Sequence, residues 1–166
     1  MSGRPWNILV LCTGNSARSI LAEALFIALG GGRVRAFSAG SKPAGRVNPF
    51  ALALLEEQGL DSANLRSKRW DEFAAPGAPE MDFIFTVCAS AAGEACPIWP
   101  GQPSTAHWGI ADPAHIEPLA ARREAFETAY RQLARRIGAF VTLPLETLSA
   151  QEVATAARRI HEEGEA

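Results

Sequence analysis

The sequence has no long hydrophobic run and no excess of positive charge. Its apolar runs, such as residues 8–12, are far shorter than the roughly 18 residues that cross a bilayer, and no cationic leader precedes a signal-like stretch. We therefore expect no membrane insertion, no secretion and a cytoplasmic location. The formal net charge of −2 argues against nucleic-acid binding, which depends on clustered Lys and Arg.

Cysteine is also scarce, with only Cys12, Cys88 and Cys96 in the chain. Three thiols spread over an ordinary composition do not form a disulfide scaffold. In a reducing compartment, thiols with a function are nucleophiles, metal ligands or redox centres, although a lone buried cysteine is usually a small apolar side chain. Neither a CxxC motif nor a well-spaced His pair is present, so we predict no metal and no cofactor.

The length of 166 residues, with 48% apolar and 20% charged residues, predicts a single domain over residues 1–166. Short apolar segments at 6–11, 34–39, 83–87 and 104–108 read as strands, and helical spacing separates or follows them. This alternation predicts an α/β fold, in which a four-stranded, mainly parallel sheet carries helices on both faces as a three-layer α/β/α domain.

Glycines and capping residues predict the limits of the helices. Residues 30–32 are all glycine and end the first helix, while Asn48 and Pro49 start a second helix that ends at Gly59. A long amphipathic helix spans 119–137. Ser149 and Glu152 form a capping-box pattern that starts the last helix.

The segment between the first strand and the first helix predicts an oxyanion site. Cys12 and Arg18 are separated by five residues, and the N–H groups of a tight loop that feeds a helix converge on an anion. Arg18 can offer a bidentate fork, and the same field would stabilise the Cys12 thiolate as a nucleophile. The predicted binding residues are Thr13, Gly14, Asn15, Ser16, Ala17, Arg18 and Ser19. An anion site also suits residues 1–75, which carry nine basic and six acidic residues.

The stretch NILVLCTGNSARSILAEAL resembles the phosphate-binding loop of the low-molecular-weight protein tyrosine phosphatase family, and FSAGSKPAGRVNPFALALLEEQGLD is similar to the segment that follows it there. Within that family, TVCASAAGEACPIWPGQPSTAHWGIADPA resembles the thiol-relay arsenate reductases more than the phosphatases. The resemblance covers nearly the whole chain. It implies reduction of arsenate to arsenite, with electrons from thioredoxin or from glutathione and glutaredoxin.

This resemblance gives roles to residues in the second half of the chain. Arsenic must accept two electrons, so Cys88 is expected to attack the Cys12 arsenic adduct and Cys96 to resolve the disulfide that forms. A helical segment would hold Cys88 and Cys96 about 12 Å apart, too far for a disulfide, so the segment between them is expected to bend. Asp112, followed by Pro113, matches the general acid of the family.

Three features of the sequence limit what the resemblance implies. Ala114 replaces the aromatic residue that usually walls the site in aryl-phosphate phosphatases of the family, and Ala17 replaces a cysteine found in some reductases. Some relatives bind potassium near the anion loop through residues that match Asn15 and Glu23. The basic stretch at 66–69 occupies the place of another acidic ligand, so we do not predict the ion.

Two other functions stay open at this point. The first is a low-molecular-weight phosphatase that hydrolyses phosphomonoesters through a phosphocysteine on Cys12, with Cys88 and Cys96 as core or regulatory thiols. The second is a non-catalytic module that binds an oxyanion such as phosphate or arsenate, or that senses the redox state. Phosphate and arsenate have nearly the same shape and charge, so only a requirement for Cys88 and Cys96 separates a reductase from a phosphatase.

Overall fold

The computed structural model describes residues 5–87 and 103–164. In this part of the chain four strands form one sheet: β1 (Trp6–Leu11), β2 (Val34–Ala39), β3 (Phe83–Thr86) and β4 (Ser104–His107). Their spatial order is β2-β1-β3-β4, and each neighbouring pair is parallel. The predicted α/β class and the four parallel strands are confirmed, with β3 and β4 each one residue shorter than predicted.

Four α-helices accompany the sheet in the described residues: α1 (Arg18–Gly30), α2 (Pro49–Glu57), α3 (Leu119–Val141) and α4 (Ala150–Gly164). Their predicted limits are confirmed within a few residues. Gly31, with φ of 60°, follows α1 in the left-handed conformation that glycine adopts at low cost. At the start of α4, Ser149 and Glu152 exchange side chain to backbone hydrogen bonds of 2.8 and 3.1 Å, as in a capping box.

Aromatic side chains pack against both faces of the sheet. On one face Phe85 lies 5.6 Å from Phe26 of α1 and 5.2 Å from Phe140 of α3, measured between ring centroids. On the other face Phe37 contacts Phe73, which belongs to the single helical turn Trp70–Phe73. Strands covered on both sides need apolar residues at every position, which explains the continuous apolar runs in the sequence.

The strand order reverses between β1 and β3, because their neighbours β2 and β4 lie on opposite sides. At the carboxyl ends of these two strands the Val87 N–H donates to the Leu11 carbonyl at 3.0 Å. Cys12 directly follows Leu11 and Cys88 directly follows Val87 in the sequence. The predicted roles of Cys88 and Cys96, and the predicted bend between them, lie outside the described residues.

No helix within residues 5–87 and 103–164 combines the length and the apolar character needed to cross a membrane.

Candidate active site

Residues 12–18, called here the anion loop, connect β1 to α1 at the carboxyl edge of the sheet. Cys12 is only 4% exposed, and α1 starts at Arg18 directly after Ala17. Because alanine has no side-chain acceptor, Ala17 cannot cap the first turn of α1. The N–H groups of that turn, together with the positive end of the helix dipole, suit an oxyanion.

The carbonyl groups of the anion loop are bonded to a neighbouring segment, residues 42–48. Lys42 donates its backbone N–H to the Thr13 carbonyl at 3.0 Å, and Ala44 donates to Gly14 at 2.9 Å. A third bond of 2.9 Å joins the Asn48 N–H to the Ser16 carbonyl. Carbonyls held in this way do not compete for the site, which fits a loop that binds an anion through its N–H groups.

Gly40, the residue after β2, allows the loop to approach the sheet. A Cβ atom at this position would lie 2.4 Å from the carbonyl oxygens of both Cys12 and Thr13, and both of these are backbone atoms that cannot turn away. Only glycine therefore fits at this contact. The sequence carries no signal for this requirement, since Gly40 looks like an ordinary end of a strand.

Arg18 connects the anion loop with the segment that carries the predicted acid. Its guanidinium donates to the Ile110 carbonyl at 2.9 Å and lies 3.6 Å from the Asp112 carboxylate. The Arg18 side chain is 14% exposed and that of Asp112 is 41% exposed. The sequence predicted that Asp112 reaches the site of Cys12 and Arg18, and the structure brings all three residues to one cavity.

Residues 109–115, called here the acid loop, follow β4. The loop is joined to the end of β3 where the Ile110 N–H donates to the Val87 carbonyl at 3.0 Å. Asp112 accepts a hydrogen bond of 2.9 Å from the Ala114 N–H, which is the local turn typical of an Asp-Pro pair. One Asp112 oxygen thus fixes the turn, while the other faces Arg18.

The cavity at this edge has a volume of about 700 Å³. Within the described residues it is lined by Cys12, Thr13, Gly14, Asn15, Ser16, Ala17, Arg18, Ala44, Arg46, Asn48, Pro49, Asp112, Ala114 and His115. Sequence patterns indicated the anion loop and Asp112 but missed His115 and Asn48. His115 belongs to no motif in the sequence. Asn48 marks only the start of α2, which its side chain caps by accepting from the Phe50 N–H at 2.8 Å.

A fully buried polar cluster lies behind the anion loop. Asn15 adopts a positive φ of 42° and donates from its Nδ2 to Ser19 Oγ at 2.8 Å and to Ser38 Oγ at 2.9 Å. The Asn15 Oδ1 accepts the backbone N–H of Lys68 at 2.9 Å. Ser19 therefore supports the loop from within.

The cluster continues to a buried pair of opposite charges. Ser38 donates its hydroxyl to Glu23 Oε1, and the Lys68 ammonium lies 3.8 Å from the same carboxylate. Burial raises the pKa of Glu23, while Lys68, the Ser38 hydrogen bond and Arg66 act in the opposite direction. Burial also lowers the pKa of Lys68, and Glu23 opposes that shift. The positive charge beside Glu23 and Asn15 is thus the Lys68 ammonium, which belongs to the protein itself.

The part of the chain that the structure describes contains no group of three His, Cys, Asp or Glu side chains arranged to hold a metal ion. The fold and the site together define a class of protein: a parallel α/β protein in which a cysteine follows the first strand and begins a loop that suits an oxyanion. The chain matches the low molecular weight phosphotyrosine protein phosphatase family over residues 7–153. It belongs to that family.

Relatives of the chain in this family are named arsenate reductases. The arsenate reductase of Bacillus subtilis (strain 168) is 35% identical over 119 residues, which cover 72% of this chain and 82% of that protein. A solved arsenate reductase from Archaeoglobus fulgidus has 30% identity and a TM-score of 0.60, covering 79% of this chain and 98% of the other. An arsenate reductase in the phosphate binding state has 28% identity and a TM-score of 0.67, covering 82% and 97%.

Proposed function

We propose that this protein reduces arsenate to arsenite through a relay of Cys12, Cys88 and Cys96. The observation that carries the proposal is the cavity that unites the Cys12 thiol, the Arg18 guanidinium and the Asp112 carboxylate. The similarity to arsenate reductases over most of the chain selects this reaction among those that such a cavity allows.

The first step joins arsenate to the protein. Arsenate occupies the anion loop, where backbone N–H groups and the Arg18 fork bind its oxygens. The Cys12 thiolate attacks arsenic and forms an As–S bond, and one arsenate oxygen leaves as water. Asp112, in its protonated form, supplies the proton for that leaving oxygen. Arsenic is still As(V) after this step.

The second step carries the electrons. The Cys88 thiolate attacks Cys12 Sγ, an S–S bond forms, and the electron pair of the S–As bond remains on arsenic, which leaves as arsenite, As(III). Cys96 then attacks the sulfur of Cys88, which frees the Cys12 thiolate and leaves a Cys88–Cys96 disulfide. An external thiol reductant reduces this disulfide. In sequence, Cys12 and Cys88 follow two hydrogen-bonded residues, Leu11 and Val87, which supports the pairing of these thiols.

The relay needs a partner that supplies two electrons, and we propose thioredoxin or glutathione with glutaredoxin. Both work where thiols are kept reduced, so the proposed location is the cytoplasm. No further cofactor is needed, because the three thiols and the external reductant balance the reaction.

Phosphomonoester hydrolysis is the second candidate, because the matched family is described as a phosphotyrosine phosphatase family. The same Cys12, Arg18 and Asp112 would form and release a phosphocysteine. Ala114 lines the cavity after Asp112 and Pro113, where an aromatic wall would stack on a phenyl ring. The absence of such a side chain at position 114 favours a small inorganic oxyanion over phosphotyrosine.

The deciding experiment is a single turnover without external reductant. Fully reduced protein is mixed anaerobically with one equivalent of arsenate, arsenite is quantified, and the thiols are mapped by mass spectrometry. We expect close to one arsenite per chain and a Cys88–Cys96 disulfide. Cys88→Ser should release no arsenite, whereas Cys96→Ser should release one and stop at a Cys12–Cys88 disulfide.

A phosphomonoester assay of the same variants serves as the control. Hydrolysis that survives in Cys88→Ser and Cys96→Ser would show that the anion loop is intact. If the wild-type protein forms no arsenite and keeps three free thiols, the reductase proposal fails and hydrolysis becomes the better account. Binding of phosphate or arsenate with neither reaction would identify a non-catalytic oxyanion module.

A further inference from the structure

The buried charge pair behind the anion loop has no part in the reaction described above. Glu23 on α1 is 8% exposed and Lys68 is 7% exposed, and the two charged groups lie 3.8 Å apart. The Lys68 ammonium also donates to the Arg66 carbonyl at 2.9 Å. Such a pair needs an explanation, because burying two charges costs free energy that their attraction rarely exceeds.

One ion pair and three hydrogen bonds form a closed ring that begins and ends at Lys68. The Lys68 ammonium pairs with Glu23, Glu23 accepts the Ser38 hydroxyl, and Ser38 Oγ accepts from Asn15 Nδ2. The Asn15 Oδ1 then accepts the backbone N–H of Lys68. Asn15 is the residue of positive φ within the anion loop. The ring therefore holds the loop backbone at the position whose conformation a non-glycine residue adopts least readily.

The direction of the Ser38 hydroxyl in this ring depends on the charge of Glu23. An ionised carboxylate only accepts, so the Ser38 proton must point to Glu23 and the lone pairs of Ser38 remain for Asn15. A backbone N–H only donates, so the Lys68 N–H fixes the Asn15 oxygen on its side. A protonated Glu23 could donate instead, and the Ser38 hydroxyl would lose its fixed direction.

We infer that Lys68 and Glu23 are positioning residues of the oxyanion site: the Lys68 ammonium keeps Glu23 ionised, and the ionised Glu23 fixes the Ser38 hydroxyl, whose lone pairs then receive Asn15 of the anion loop. The inference rests on oxyanion binding by the loop, which is part of the proposed function, but not on arsenate chemistry.

A gain in folding stability does not explain the buried pair of Glu23 and Lys68. Because the pKa of Glu23 is raised on folding, its contribution to stability falls as the pH rises through that raised value. Because the pKa of Lys68 is lowered, its contribution falls as the pH drops from the ordinary lysine value through the lowered one. Arg66, which acts on both groups, and Glu72, which acts on Lys68, do not reverse either shift. Burial thus opposes the charged form of both groups, which argues against a role in stability and points to a role in binding.

The test compares sulfate affinity with thermal stability. Sulfate is a tetrahedral dianion that does not titrate near neutral pH, and calorimetry gives its Kd for the reduced protein without any turnover. Lys68→Met should weaken sulfate binding by at least about tenfold and lower Tm, because Glu23 is left buried without its cation. Glu23→Gln combined with Lys68→Met should restore Tm to the wild-type value or above, since no buried charge remains. Sulfate binding should stay at least about fivefold weaker in the double variant, because glutamine does not impose the direction of the Ser38 hydrogen bond.

Two results would overturn the inference. If the double variant binds sulfate like the wild type, the pair is structural only. If Arg69→Gln, which removes an exposed cation paired with Asp71 in the same segment, weakens sulfate binding as much as Lys68→Met, then general charge near the loop accounts for the effect.

A measurement on the unaltered protein covers the case in which the variants do not fold. Carboxyl ¹³C NMR of glutamate-labelled protein at pH 7.5 should show the Glu23 carboxyl in its ionised form, and a neutral carboxyl would contradict the inference. Because none of these measurements involves arsenate, they can fail while arsenite formation succeeds, and the reverse also holds.

Discussion

The floor and the wall of the cavity are built in different ways. The floor is the anion loop, whose carbonyls are bonded to residues 42–48 and whose Asn15 is fully buried in a ring of polar partners. The wall is the acid loop, where Asp112 is 41% exposed and meets Arg18 at 3.6 Å. A rigid floor suits recognition of one anion shape, whereas an exposed carboxylate suits proton transfer to and from solvent.

Substitutions in the floor and substitutions in the wall are therefore expected to have different effects on affinity and rate. A change in the floor should alter oxyanion affinity and reaction rate together, because the same N–H groups and the same arginine serve both. A change in the wall should alter the rate and leave affinity for an inert oxyanion nearly unchanged. Sulfate affinity measured beside the rate of arsenite formation separates the two.

The largest effect is expected for Arg18→Lys in the floor. Lysine keeps the positive charge but loses the planar fork and the geometry of the bond to the Ile110 carbonyl. We expect kcat/KM for arsenate to fall by about 10²–10³-fold, with a clear loss of sulfate affinity. Steady-state kinetics and calorimetry check this result. Unchanged sulfate binding would mean that Arg18 acts on the reaction alone.

A smaller effect is expected for Asp112→Asn in the wall. Asparagine keeps the turn through its side-chain oxygen but cannot protonate the leaving oxygen, so kcat should fall by about 10²-fold. Sulfate Kd should stay within about twofold of wild type, since Asp112 is not among the anion donors. Rapid-quench measurement of the first turnover gives the rate. An unaltered rate would remove Asp112 from the proposed mechanism.

The smallest effect is expected for Ala114→Trp, also in the wall. An aromatic ring at this position would stack on an aryl group and should lower KM for an aryl phosphate by about three- to tenfold. Arsenate, which has no ring, gains nothing from the change. Competition between the two substrates measures the shift, and an equal change in both KM values would show that the introduced indole ring acts on the site in a general way.

The sequence predicted the sheet, the helices and most of the floor, because these follow from local patterns. Apolar runs and the glycines at 30–32 give the elements, and a cysteine at the end of a strand before a helix gives the anion loop. The burial of Lys68 could not be predicted in this way, because the basic stretch at 66–69 looks like a solvated charge run. Its burial depends on backbone bonds of Gly40 to Lys68 and Trp70, which are contacts between distant segments that no local pattern records.

The distance along the chain between the floor and its supports also affects how the protein is made. Arg18 is held by the Ile110 carbonyl, which comes 92 residues later in the sequence. At synthesis rates of roughly 5–20 residues per second, about 5–20 s pass between the appearance of these two residues. Throughout that interval the thiol at position 12 belongs to an unfinished chain and lacks the enclosure that β3 and the acid loop later provide. The order of synthesis therefore leaves the Cys12 thiol open to cellular oxidants until β3 and the acid loop have been made.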